Sequence, residues 1–256
     1  MLNSVSAAIA ASAIRKFAEY RAYSFDFFVG LVIKFVFFMA AMYATPLREP
    51  VEATARVYGF VIWYLTSHLL AKTANIVVEE AYMGTLGQVL TARTSFPVFV
   101  ISVAVMEVLF SIPWVLGFLG IAALSTPIRS VLPSLLHAAP TAVGLACLNF
   151  IGVGGMAIVL LGLSFRFKRV GALTEIISFY LLFFSGFFFP PDQLPAVVRQ
   201  ANRLSPLFWA VRGLTEGWAI VPHLLGSSML WILSGVLVFR YYWEWARWTG
   251  RLTAYV

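Results

Sequence analysis

Long apolar blocks separated by short polar segments divide this chain, running over 25–45, 57–78, 96–124, 140–165, 171–189 and 224–242. A run of about 18 or more apolar residues predicts a membrane span, because about 20 helical residues cross a hydrocarbon layer about 30 Å thick. The blocks are continuous rather than alternating, which disfavours a strand barrel. The predicted fold class is therefore all-α, a polytopic membrane protein with six transmembrane helices in a single domain over 1–256. Only Arg166-Phe167-Lys168-Arg169-Val170 separates the fourth and fifth blocks, which predicts a tight antiparallel turn.

The segments between blocks carry their own periodicity. Within residues 1–24, Ile9, Ala10, Ala13, Ile14 and Phe17 fall at helical spacing with Arg15, Lys16 and Glu19 on other faces. That pattern predicts an amphipathic helix in the membrane interface. After the fifth block, Ser185-Gly186 and Pro190-Pro191 lead to Leu194-Pro195 and a short amphipathic helix through Leu204. The run Leu207–Trp218 is too short and too charged to cross alone, so both are expected to be short outer re-entrant helices dipping into the outer leaflet. Irregular backbone at membrane depth must be buried in protein or face water, which places the Pro190-Pro191 turn near a pathway or its lid.

Composition agrees with a lipid environment: 61% of residues are hydrophobic and 11% charged, and the mean hydropathy is +0.88. Lys and Arg set the orientation. Ten of them (Arg15, Lys16, Arg21, Arg93, Arg166, Lys168, Arg169, Arg240, Arg247 and Arg251) fall on one side, and Arg48, Arg56, Arg129, Arg199, Arg203 and Arg212 on the other. Both termini are therefore expected to be cytoplasmic, in the cell (inner or plasma) membrane. The net charge of +7 fits positive-inside anchoring and lipid headgroup contact, and gives no argument for nucleic acid. A single cysteine, Cys147, excludes an intrachain disulfide. No Lys or Arg occurs in the first fourteen residues, so the charged n-region of a signal peptide is missing and the N-terminus is expected to be retained.

Several chemistries lack their residues. No Gly-Lys dipeptide occurs, hence no P-loop and no ATPase in this chain. His68, His137 and His223 lie in separate regions without Cys or carboxylates at ligand spacing, so no metal site and no catalytic residue is expected. Gly152-Val153-Gly154-Gly155 lies inside an apolar run and reads as close helix packing. The charges inside blocks are costly in hydrocarbon and need a reason. Lys34 and Glu107 sit at similar depth, about 14–17 Å from the cytoplasmic ends of their blocks at about 1.5 Å per residue. They are candidates for a direct pair, for separate seats in a water-lined cavity, or, for Lys34, a contact with a neighbouring subunit. Lys72 lies nearer the boundary and is expected to snorkel there.

The polar island Glu79–Arg93 lies between the second and third blocks on the cytoplasmic side. Tyr82, Met83, Leu86, Val89 and Leu90 form a stripe that predicts a short helix lying across the mouth of two spans, and Gly84 and Gly87 permit close approach. Glu79/Glu80 followed by Gly84-Thr85-Leu86, Ser185-Gly186 with Phe189-Pro190 and Leu194-Pro195, and Pro206 beyond the outer helix together resemble the type-2 ATP-binding-cassette (ABC) transporter permeases, the export-type membrane subunits. The likeness in layout covers the whole chain.

The resemblance implies that Glu79, Glu80, Gly84, Thr85 and Leu86 belong to a cytoplasmic coupling helix contacting a separate nucleotide-binding ATPase subunit. ATP and Mg would be bound by that partner, with no cofactor in this chain. It also implies that Ser185, Gly186, Pro190, Pro191, Leu194 and Pro195 form the outer gate and re-entrant turn. A second permease copy or homologue would complete the pathway as a homodimer or heterodimer, through the first and fifth spans. Gly87 stands where the family often has a carboxylate, which leaves the subfamily open. The Phe-rich stretches Phe35–Phe38 and Phe183–Phe189 suggest a lipophilic or amphiphilic cargo. The alternative classes are an ion-coupled secondary transporter using Lys34, Glu107, Glu175 and His68, and a membrane-embedded lipid-modifying enzyme.

Overall fold

The computed structural model describes residues 2–43, 50–92, 94–123, 132–186, 188–189 and 193–250. The regular elements among them are helical: α1 (Leu2–Ala22), α2 (Ser24–Tyr43), α3 (Pro50–Tyr82), α4 (Leu86–Thr91), α5 (Phe96–Ala123), α6 (Leu132–Phe167), α7 (Gly171–Phe184), α8 (Ala196–Asn202), α9 (Pro206–Glu216), a 3-10 turn (Gly217–Ile220) and α10 (Val221–Trp248). The protein is all-α and polytopic. Four helical stretches are long and apolar enough to cross a membrane, namely Val51–Tyr82, Phe96–Gly117, Leu132–Phe167 and Pro206–Trp248. α1 and α2, bent by 84° where they meet, make a fifth candidate when taken together. α7 has 14 residues, about 21 Å at about 1.5 Å per residue, which is short of a full crossing. Arg93, Pro190 and Pro191 lie outside the described residues, as do the last positions of the first and third blocks.

Several boundaries differ from those expected of the sequence, each for a local reason. α3 starts at Pro50, where a missing N–H costs nothing in the first turn. α6 starts at Leu132 and carries Pro140 inside it. Its added turns are held because Leu135 is buried and its carbonyl accepts from Tyr58 Oη at 2.7 Å. α7 stops at Phe184, not Phe189. There the Ser185 hydroxyl donates to the Leu181 carbonyl, and Gly186 takes φ +101°, a left-handed conformation that favours glycine.

α3 is the central helix, packed against α5, α6, α7 and α9. α6 and α10 form the closest long pair. A Cβ on Gly155 would sit 2.5 Å from the Trp231 backbone carbon, whereas one on Gly152 would meet the Ser228 and Pro206 side chains and one on Gly154 nothing within 4 Å, so Gly155 serves backbone-to-backbone packing. α9 is capped by Ser205, whose Oγ accepts the Phe208 N–H at 3.4 Å, with Pro206 starting the helix. Its Leu207, Phe208, Ala210 and Val211 are buried. α9 therefore packs on α3 and α6, and its Arg212–Glu216 ion pair, 2.5 Å long, occupies the outward side.

α1 runs beside the first half of α5 in the same direction. Ser12 meets Ser102 at 3.0 Å, and eight residues further along both helices Tyr20 Oη donates to the Phe110 carbonyl at 3.3 Å. Its amphipathic faces are turned so that Ser12 and Lys16 are buried while Ile14 and Phe17 are exposed. An apolar face pointing out and a polar face seated on protein suit a helix in contact with lipid.

Candidate functional site

The polar island is two pieces joined by a turn. α3 continues through Tyr82, and the Gly84 N–H donates to the Ala81 carbonyl at 3.0 Å while the Thr85 N–H donates to that of Glu80 at 2.9 Å. With Gly84 at φ +68°, this is a Schellman helix end. The chain reverses there and starts the six-residue α4. The single stripe expected over Tyr82–Leu90 is therefore split. Leu86 is buried, and Val89 and Leu90 pack against the cluster of Ile76, Val77, Phe96 and Phe165. Tyr82 and Met83 are exposed, 74% and 54%, beside exposed Gly84, Gly87 and Gln88.

The five residues assigned to a coupling segment thus do different jobs. Glu80 is 1% exposed. Its carboxylate forms an ion pair with Arg15 of α1 and accepts from Thr85 Oγ1 at 2.5 Å, so it ties α1, the end of α3 and the start of α4 together. Glu79 pairs with Lys72 at 2.7 Å. Lys72 also meets Glu19 of α1 at 3.3 Å, so it is neutralised within the protein instead of reaching for the membrane surface. Gly84 forms the turn and Leu86 anchors it. Near the exposed side, Arg169 of the α6–α7 turn donates to Tyr82 Oη at 3.4 Å.

The intramembrane charges join the same network. Among the described contacts Lys34 and Glu107 do not pair directly; His68 stands between them. Lys34 Nζ lies 2.6 Å from His68 Nε2, and His68 Nδ1 lies 3.2 Å from Glu107 Oε1. An ammonium only donates, so Nε2 accepts and the Nδ1–H donates to the carboxylate: one neutral tautomer satisfies both contacts. Glu107 takes its counter-charge from Lys16 of α1, 2.6 Å from Oε2. Lys16 also approaches Glu19 at 3.4 Å. A continuous series of polar contacts therefore runs from Lys34 through His68, Glu107, Lys16, Glu19 and Lys72 to Glu79, one residue from the clamp at Glu80. The sequence signals for it were the buried-block charges Lys34, Glu107 and Lys72. His68 and the α1 residues were missed as their partners because the contacts span 34 to 91 positions.

At the C-terminal end of α7, Asn202 of α8 holds it in place. It accepts from Tyr180 Oη at 2.7 Å and donates to the Phe184 carbonyl at 2.5 Å. Ser185 and Leu194 are buried at this turn, and Pro195 opens α8. The Trp209 and Trp231 indoles donate to the carbonyls of Arg203 and Leu204, at 2.7 Å and 2.6 Å, pinning the end of α8 to α9 and α10.

Residues 8–218 match the family model described as ABC-2 type transporter. Among curated proteins, none matches the chain.

Proposed function

The chain belongs to the ABC-2 type transporter family and is a membrane permease component of an ABC transporter, and from that premise we propose that it is the transmembrane subunit of an ATP-driven exporter of a lipophilic or amphiphilic substrate. The observation that carries the reading is the family match over most of the chain. A separate ATP-binding subunit binds ATP and Mg and supplies the work. It docks on the cytoplasmic turn formed by Tyr82, Met83, Gly84, Gly87 and Gln88. Glu79, Glu80, Thr85 and Leu86 lie behind that surface and hold it to α1 and α3.

In this reading, movement of the turn is passed on by rigid connection. Glu80 links it to Arg15, and α1 is bonded along α5 through Lys16–Glu107 and Ser12–Ser102. A push at the turn therefore shifts α1, α3 and α5 as a group. The second permease copy or homologue packs on α2 and α7. α2 exposes Phe25, Phe28, Ile33 and Val36, and its Phe37 ring lies 6.3 Å from that of Phe179 on α7, so the two helices form one apolar face. The chain is taken to cross six times, with α7 in the fifth crossing, and the Lys and Arg asymmetry supports both termini in the cytoplasm of a cell-membrane protein.

The test is co-purification with an ATP-binding-cassette ATPase co-expressed with this chain. Gln88→Arg with Met83→Arg should abolish association while the permease still inserts and elutes as one species. Association that survives replacement of the whole exposed turn removes the docking assignment.

A further inference from the structure

At the elbow between α1 and α2, facing α3 and α5, lies a cleft of about 330 Å³, within the roughly 300–1,000 Å³ of small-molecule sites. Its deep wall is Tyr64, His68, Lys34 and Trp114, and its rim includes Tyr23 and Asp26, both exposed. Two carboxylates line it, and they differ. Glu19 is neutralised by Lys72 and Lys16. Asp26 has no ion-pair partner among the described residues. On the deep wall, Lys34 is in the same position as a cation: its contacts are His68 Nε2 and the Tyr64 ring, 4.6 Å below its ammonium. The Glu107 charge beyond His68 is matched by Lys16.

A cation without a facing carboxylate at membrane depth marks a site for an anionic group. The cleft thus offers one positive and one negative seat on the same helix. Eight residues separate Asp26 from Lys34, about 12 Å of rise at about 1.5 Å per residue, and the long Lys34 side chain shortens that gap. Beyond Lys34 the wall continues as an apolar strip of Phe60, Val61 and Val115. Polar rim, cationic floor and apolar continuation have the order of an amphiphile's own parts.

We propose that this elbow cleft binds one zwitterionic amphiphile of the phosphoethanolamine class, its phosphate on Lys34, its ammonium at Asp26 and its tail leaving toward Phe60 and Val115. The site is read by binding alone, so its test is separate from the transport assignment. A purely anionic lipid would satisfy Lys34 and leave Asp26 opposing it. A purely cationic one would meet Lys34.

The experiment titrates the purified, delipidated full chain in detergent with phosphatidylethanolamine, phosphatidylglycerol or free phosphoethanolamine, and reads bound adducts by native mass spectrometry. Phosphatidylethanolamine should bind more tightly than either other probe. Lys34→Gln should weaken both lipids about tenfold, the loss of one charge-assisted hydrogen bond. Asp26→Asn should remove the preference for phosphatidylethanolamine over phosphatidylglycerol. Gly30→Leu gives an independent steric arm: Gly30 lines the cleft and an added Cβ meets nothing within 4 Å, so the substitution starts in open space at the cleft wall. It should lower phosphatidylethanolamine binding about tenfold with an unchanged unfolding temperature, and it decides the matter if Lys34→Gln fails to fold. Equal affinity for the two lipids, binding of free phosphoethanolamine as tight as of the lipid, or unaltered binding by Gly30→Leu would overturn the proposal.

Discussion

Cutting the clamp between α1 and the α3–α4 turn should weaken the protein in a strongly non-additive way. Glu80 is buried, with 2% of its side chain exposed, and Arg15 is about one-third exposed, at 32%. Hydrogen bonds to a charged group contribute about 1.5–3 kcal/mol each. The Thr85 bond falls in that range, and the Arg15 contact is discounted to about 1 kcal/mol because water reaches the guanidinium. Glu80→Ala should therefore cost about 3 kcal/mol. Arg15→Ala should cost a similar amount for another reason, since it leaves a buried carboxylate with Thr85 as its remaining side-chain partner. Because either change already removes the pair, the double variant should be little worse than one single, giving a coupling of about 2.5–3 kcal/mol. Thermal unfolding of the purified protein in detergent reads this as a fall of roughly 6–12 °C for each single, at about 2–4 °C per kcal/mol for a chain of this size. Additive shifts, agreeing within about 0.5 kcal/mol, would show that Arg15 and Glu80 act independently and would refute the clamp.

Other consequences can be checked in the same way. Lys16→Met leaves Glu107 buried with His68 as its remaining side-chain partner and should destabilise by about 3–5 kcal/mol; the exchange Lys16→Glu with Glu107→Lys should recover part of that, whereas an exchange between Lys34 and Glu107 should recover none. Gly155→Leu drives a side chain into the α10 backbone, and size-exclusion chromatography should show loss of the monodisperse species. Gly186→Ala places a Cβ at φ +101° and should lower stability by about 1–2 kcal/mol, read as a lower unfolding temperature.

How much of this was legible in the sequence depended on whether the physics was local. Apolar length finds the long helices, whereas the stripe over Tyr82–Leu90 predicts one helix and gives no sign of the turn at Gly84. The fourth block's start at Pro140 falls short of the helix, since the turns before it are held by Tyr58 and by burial of Leu135, neither visible locally. The intramembrane charges announced that partners must exist, because an unpaired charge is costly there. They did not say which partners. Lys16 reaches Glu107 only because α1 lies along α5, a register that no window of sequence contains. Glu80 looked like a surface carboxylate beside Glu79, yet Arg15, 65 positions away, makes it a buried clamp. The proposed docking surface consequently rests on residues whose exposure could be seen only after the Gly84 turn had split the apolar stripe.

Site-directed cross-linking tests the central assignment most directly. Cys147 is the single cysteine, so Cys147→Ser gives a background in which Gln88→Cys carries the only thiol, with Leu136→Cys, exposed near the start of α6, as the comparison at the outer end. In membranes holding the permease with its ATP-binding subunit, a short bifunctional reagent joining the thiol to nearby lysines should link Gln88→Cys to that subunit and leave Leu136→Cys unlinked. Linkage from Leu136→Cys with none from Gln88→Cys would contradict the assignment of the α3–α4 turn as the place where the work of ATP enters.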